Sequence, residues 1–134
     1  MKFEVSPIGI VRSPFFDKGS APPQVKYSTQ TKATVEIYPD YVKGIKDLER
    51  FEHIILLSYL HKSNGYSLMT VPRNDNKQRG LFSTRSPHRP NPIALSVTKL
   101  LEIKNNILYI QGIDLINETP VLDIKPYVKE IESI

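Results

Sequence analysis

Hydrophobic and polar positions along this chain recur mostly with a period of two, which predicts strands. Lys32 to Tyr38 is the cleanest case, with Ala33, Val35 and Ile37 on one face and Thr34, Glu36 and Tyr38 on the other. Ile54 to Leu60 is a nearly continuous apolar run, the pattern of a strand buried on both faces. Phe3, Val5, Ile8, Ile10 and Val11 predict a first strand that stops at Ser13-Pro14. Ser67 to Val71 and Gly80 to Thr84 predict two short ones. Ile93 to Ile103 is long and rich in β-branched residues, which predicts a bend or bulge. Asn105-Asn106 is a turn signal, so Ile107 to Ile113 should return antiparallel. Pro120 and Pro126 interrupt Val121, Ile124 and Val128 too often for a central strand. Helical spacing appears once, after Pro39-Asp40, through Tyr41, Val42, Ile45, Leu48 and Phe51, weakened by Gly44. Residues 14–31 form a long loop holding Pro14, Gly19, Pro22 and Pro23. About seven short strands and one short helix predict a mainly β, compact β-barrel, a single domain over residues 1–134.

Composition narrows the chemistry. A chain of 134 residues is one domain's worth and needs no metal or disulfide to fold. With no cysteine it has no disulfide framework, thiolate metal site or cysteine nucleophile. His53, His61 and His88 match no metal-ligand spacing on one helix, so no metal is expected. No apolar run approaches a membrane span, and no signal peptide opens the chain, so a cytoplasmic protein is the expectation. The glycines are too scattered for a phosphate-binding loop of the G-x-G-x-x-G or Walker type.

Charge is localised. The net charge is +4, and Arg73, Lys77, Arg79, Arg85 and Arg89 against Asp75 account for all of it. Such a concentration attracts polyanions, although a solvated basic loop has the same composition.

Two segments carry candidate chemistry. In Thr84-Arg85-Ser86-Pro87-His88-Arg89-Pro90-Asn91-Pro92-Ile93, three prolines stiffen the backbone beneath Arg85, His88, Arg89 and Asn91. Stiff backbone and guanidinium forks suit an anion or cofactor clamp. In Asp114 to Tyr127, alternation puts Asp123, Lys125 and Tyr127 on one face and Leu122 and Ile124 on the other. The Asp123–Lys125 pair reads equally as a surface ion pair and as a polar cluster facing a ligand.

These segments, Arg79-Gly80-Leu81-Phe82-Ser83-Thr84-Arg85-Ser86-Pro87-His88-Arg89-Pro90-Asn91-Pro92-Ile93-Ala94-Leu95-Ser96 and Asp114 to Tyr127, strongly resemble the TsaA-like family, typified by TrmO-type tRNA adenine methyltransferases. Pro7-Ile8-Gly9-Ile10-Val11-Arg12-Ser13-Pro14 and the stretch Phe51-Glu52-His53 to His61 resemble it too, so the likeness covers nearly the whole chain. It implies a β-barrel that binds S-adenosylmethionine without a glycine-rich loop, as a homodimer with the site near the subunit interface. It implies tRNA as substrate, methylated on the exocyclic nitrogen of threonylcarbamoyladenosine beside the anticodon. Longer bacterial relatives carry a C-terminal extension, so a chain ending at Ile134 is expected to be the minimal domain form.

Carried over by position, the resemblance implies cofactor contacts at Pro22-Pro23-Gln24, at His61-Lys62, at Arg85 with Leu95, and at Asp123-Ile124-Lys125-Pro126. Asp123, Lys125 and Tyr127 are the catalytic candidates by motif, while Arg73, Lys77, Arg79 and Arg89 read as RNA-facing. Two positions depart from the family pattern. Pro23 stands where the family has arginine, and Asn117-Glu118-Thr119 stands for Asp-Gly-Thr. These departures leave room for a non-catalytic RNA- or nucleotide-binding barrel that keeps a cofactor pocket, or for a small-molecule methyltransferase of the same fold.

Overall fold

Six strands close into an antiparallel barrel in the order β1 (Gly9–Arg12), β2 (Lys32–Ile37), β7 (Ile107–Gln111), β6 (Ile93–Lys104), β3 (His53–Tyr59) and β8 (Pro120–Pro126). A separate two-stranded ribbon, β4 (Met69–Thr70) and β5 (Arg79–Gly80), brackets the loop that holds Arg73 and Lys77. The computed structural model describes residues 1–16 and 30–133. Mainly β architecture and barrel closure agree with the reading of the sequence, and closure removes the exposed edges that a sheet of short strands would otherwise leave.

Alternation explains the core. Ala33, Val35 and Ile37 of β2 face inward, as expected. They meet Val11, Ile54, Leu56, Leu108, Ile110 and Val121 from the other strands, each essentially fully buried. Removing each such side chain from water contributes about 1.5–3 kcal/mol. At Gly9 the β1–β2 backbones approach so closely that a Cβ would run into the Glu36 carbonyl oxygen. Glycine is required there by space.

β6 contains the expected irregularity, a register shift between Leu100 and Glu102 against β7. It lets one long strand pair with β7 in its second half and with β3 in its first. The hairpin turn sits at Asn105-Asn106, with Asn105 at φ 55°.

Four expectations change. The segment after Pro120 is a barrel strand, because Pro120 and Pro126 occupy its first and last positions, where a missing N–H costs little. The expected helix after Pro39 is two 3-10 segments, Pro39–Ile45 and Leu48–Arg50, interrupted by Asp47 at φ 69°. An α-helix cannot run through a left-handed residue. Among the described residues the α-helix is α1 (Lys129–Glu132) at the C-terminal end. Gly80 to Thr84 is strand only at Gly80; Leu81–Ser83 turns into a 3-10 segment. There the Ser83 hydroxyl donates to Gly80 O at 2.7 Å and Thr84 Oγ1 to Leu81 O at 2.7 Å, offering the backbone an alternative to a ladder. Phe3 and Val5 lie outside β1 and are exposed.

Candidate functional site

β3 ends at Tyr59, and Leu60 N donates to Pro92 O at 2.8 Å, which lays the next residues alongside the proline-rich segment. His61 and Lys62 follow directly. Ser63 Oγ then donates to Pro87 O at 2.8 Å and lies 3.1 Å from His88 Nδ1. A hydroxyl has one hydrogen, so with it on Pro87 the His88 ring donates from Nδ1, and Nε2 is the acceptor of the neutral ring. Two segments expected to hold one ligand, His61-Lys62 and Arg85, are therefore fastened together. Beside this junction lies a cavity of about 300 Å³ whose lining includes Asn64, Tyr66, Leu81, Ser86 and His88; His61, Lys62 and Arg85 are outside its lining.

The 84–92 segment is held from within. Arg89 donates through one guanidinium nitrogen to Thr84 O and Ser86 O, both at 3.0 Å. Its guanidinium carbon stands 5.8 Å from the centre of the Phe82 ring. Arg89, expected to face RNA, thus uses part of its hydrogen-bonding capacity to shape the loop. Arg85 is exposed and has no side-chain partner among the described residues.

Of the remaining expected residues, Leu95, Asp123 and Lys125 lie on the outer face of β6–β3–β8, while Pro126 pairs with core Ile54 at the end of β8. Leu57 pairs with Leu95 on one side and Asp123 on the other, which puts all three in one row. One pair further, Ile55 lies between Val97 and Lys125. Leu95 and Asp123 are two strand spacings apart, about 9–10 Å. Ile124 faces the other way, against the core. A bulge at Leu57/Ser58 leaves Leu122 unpaired and sets this register. Asp123 Oδ2 meets Lys125 Nζ at 3.1 Å with both side chains about half exposed, so the pair is an ion pair at the surface. Tyr127 shares the face but lies beyond the end of the strand; its N–H donates to His53 O, and its ring stands edge-on to His53. Pro22, Pro23 and Gln24 lie outside the described residues.

Burial dominates the electrostatics of two groups. Burial, then the neighbouring Lys62 charge, pushes His61 below the ordinary histidine range, against opposing pulls from Glu118 and the Tyr59 backbone. The ring is therefore neutral at neutral pH, and its Nδ1 is buried with no partner among the described residues. Burial also raises the Asp114 carboxyl above its usual value, against its own amide, the Ser96 hydroxyl and Arg85. Asp114 was not singled out as a site residue by sequence, since its surroundings come from distant positions. An acidic residue flanked by the apolar Ile113 and Leu115, both buried, was the available signal. An unpartnered imidazole nitrogen and an exposed guanidinium fit S-adenosylmethionine, the cofactor that the resemblance implies.

The 117–119 turn explains how a departure from the family pattern is accommodated. Glu118 adopts φ 68°, the left-handed conformation that glycine takes freely. Asn117 Oδ1 accepts from Ser13 N at 3.1 Å, and Glu118 N donates to Val11 O at 2.7 Å. The turn is kept, at the conformational cost of a non-glycine residue.

Arg73, Lys77 and Arg79 are exposed around the ribbon. Asp75 accepts from Asn76 N and Lys77 N and pairs with Arg79 Nε at 3.0 Å. Lys77 has no ion-pair partner among the described residues. No helix among the described residues is long and apolar enough to cross a membrane, and no group of three His, Cys, Asp or Glu there could hold a metal.

Barrel, loop and motif together match a known family. Residues 10–133 fit the family model described as the tRNA-methyltransferase O N-terminal domain. The chain belongs to that family. It is 42% identical over 134 residues to a probable S-adenosyl-L-methionine-binding protein of Methanothermobacter thermautotrophicus, covering 100% of this chain and 96% of the relative. It is 38% identical over 134 residues to the tRNA (adenine(37)-N6)-methyltransferase of Rattus norvegicus, covering 95% of this chain and 31% of the relative. The crystal structure of TrmO from Pseudomonas aeruginosa superposes with a TM-score of 0.84 at 38% identity, over 100% of this chain and 60% of that one. The chain thus spans under two-thirds of the TrmO chain and under a third of the rat enzyme.

Proposed function

We propose that this protein binds S-adenosylmethionine and, as a homodimer in the cytoplasm, methylates the exocyclic nitrogen of threonylcarbamoyladenosine in tRNA. One observation carries the reading: Ser63 fastens the His61-Lys62 segment to the Arg85 loop at 2.8 Å, beside a cavity, in a barrel of the tRNA-methyltransferase O family. When bound, the cofactor supplies an activated methyl group on a sulfonium centre. The chain's own part is to bind and orient. Arg85, with a planar fork and no competing partner among the described residues, suits the cofactor's carboxylate. Neutral His61 offers its ring nitrogen, and Leu95 offers an apolar contact. Asp123 in that leucine's row and Lys125 in the next supply charge of both signs. Displacement at a methyl carbon needs alignment above all, so a proline-stiffened loop contributes by holding the reactants still.

Tyr59, Ile93 and Leu95 are exposed by 42%, 46% and 49% on adjoining positions of β3 and β6. A contiguous apolar surface of this kind supports pairing with a second copy, which brings the Leu95–Asp123 face into the interface. The basic ribbon supports RNA as the substrate. Purified protein given methyl-labelled cofactor tests the reading: label should enter tRNA bearing the threonylcarbamoyl group and not tRNA lacking it. Cofactor binding without transfer to any tRNA would favour the non-catalytic binding barrel.

A further inference from the structure

The proposed reaction needs a seat for the substrate base as well as one for the cofactor. Enzymes that work on an atom of a stacked base take that base out of the stack and into a pocket. The cavity of about 300 Å³ beside the Ser63–Pro87 contact is lined by none of the residues expected to hold the cofactor. It begins where they end. Asn64 stands two residues after Lys62, and Ser86 directly follows Arg85. Ser63, between Lys62 and Asn64, donates to Pro87 O and meets His88 Nδ1, so both cofactor segments run into the cavity wall at one fastened point. A group seated in the cavity adjoins the segments expected to hold the methyl donor, and an in-line displacement needs that closeness.

The lining has the chemistry of a base seat. Leu81 is 2% exposed and supplies an apolar contact. Tyr66 lines the cavity and is 56% exposed, an aromatic ring open to stacking. Ser86 Oγ accepts from His88 N at 3.2 Å and keeps its own hydrogen to donate. With Nδ1 turned to Ser63, His88 keeps Nε2 as an acceptor. The side chains of Asn64, Tyr66 and Thr70 have no hydrogen-bond partner among the described residues. Free donors and acceptors around one ring suit a purine with a polar arm. The volume is at the small end of the range for ligand sites and suits one substituted base.

The rim supplies the charge that a phosphate chain attracts. Thr70 of the lining pairs with Arg79 across the ribbon. Arg89 follows His88, and its guanidinium covers one side of the Phe82 ring, which follows Leu81 and is 72% exposed. Both arginines belong to the 73–89 stretch that holds the whole net charge of +4. Basic groups mixed with exposed aromatic rings are a surface for unpaired RNA.

We propose that this cavity seats the substrate base, swung out of the anticodon loop, with Tyr66 stacked on the adenine and Asn64, Ser86 and His88 bonded to its threonylcarbamoyl arm. The inference rests on the methyltransferase reading above for the identity of the base. The seat sets specificity, because adenosine without the arm leaves the polar lining unpaired.

The test uses free nucleosides and the full chain. In amide-resolved NMR, threonylcarbamoyladenosine should shift Asn64, Tyr66, Ser86 and His88. It should leave Asn105 and Asn106, beyond the opposite end of β6, in place. Adenosine should bind about 10-fold more weakly for the hydrogen bonds it lacks. Tyr66→Ala changes an exposed position and keeps the fold. It should weaken nucleoside binding by about 5–150-fold and raise the KM for threonylcarbamoyl tRNA, with cofactor affinity by calorimetry unchanged. Tyr66→Phe keeps the stacking ring and should restore both. Absence of nucleoside binding, shifts away from the cavity, equal binding of adenosine, or wild-type nucleoside affinity in Tyr66→Ala overturns the inference alone. Cavity shifts in a protein that transfers methyl to no tRNA support the seat and overturn the methyltransferase reading alone.

Discussion

The Ser63 hydroxyl donates to the carbonyl of Pro87 at 2.8 Å, across 24 residues of sequence. This contact sets the spacing between the strand end that carries His61 and the loop that carries Arg85. A single exposed hydrogen bond contributes about 0.5–1.5 kcal/mol, and here it fixes the geometry of two cofactor segments. Ser63→Ala should weaken S-adenosylmethionine binding by about 2–10-fold with little change in melting temperature. Calorimetry beside a thermal melt reads both, and equal cofactor affinity in the variant would remove the contact from the site.

Glu118 carries the strain of a turn for which the family pattern has glycine. Glu118→Gly should raise stability by about 0.5–1 kcal/mol, because the left-handed cost exceeds the entropy that glycine adds to the unfolded chain. The Arg12–Glu118 pair at 3.5 Å is exposed and offsets little of this. The same variant removes the carboxylate that draws the His61 pKa upward, so His61 should titrate still lower. Chemical denaturation and proton NMR of the His61 ring check the two halves separately.

Arg73, Lys77 and Arg79 are expected to contact phosphate. Neutralising Lys77 and Arg79 together should weaken tRNA binding and flatten the dependence of log affinity on log salt by about one unit for each phosphate no longer engaged. Arg79→Gln also releases Asp75, whose carboxyl is held below its usual range first by the Arg79 hydrogen bond and then by the Lys77 and Asn76 amides. Asp75 should then titrate higher. Arg85→Ala should do the reverse, lowering cofactor affinity with little change in salt slope. A double variant with wild-type affinity and slope would make the ribbon a solvated loop.

The exposed Tyr59, Ile93 and Leu95 predict a dimer in solution. Sedimentation at micromolar concentration should give twice the 15.3 kDa chain mass, and Ile93→Glu should return it to one. A wild-type monomer under those conditions would contradict the proposed interface.

How much of this was legible in the chain depends on how local its causes are. The alternation through Ala33, Val35 and Ile37 is a two-residue rule, so β2 could be read directly. The β6–β7 hairpin was legible because Asn105 tolerates positive φ. β8 was hidden because Pro120 and Pro126 read as breakers, and only the register shows that they stand at its ends. The expected helix failed at Asp47, where tertiary packing against the barrel overrides spacing that fits a helical face. Sequence motif placed Asp123 and Lys125 on one face correctly, but the 3.1 Å pairing that neutralises them appears only in three dimensions. Asp114 was hidden for the same reason: its partner Ser96 lies 18 residues away on another strand.

The most direct test of the account is mass spectrometry of nucleosides digested from tRNA after incubation with the purified protein and S-adenosylmethionine. Threonylcarbamoyladenosine should gain the mass of one methyl group in place of one hydrogen, with fragmentation locating it on the exocyclic nitrogen. Unmodified adenosine should gain nothing. Threonylcarbamoyladenosine recovered unchanged from tRNA that the protein binds, in the presence of saturating cofactor, would contradict the account.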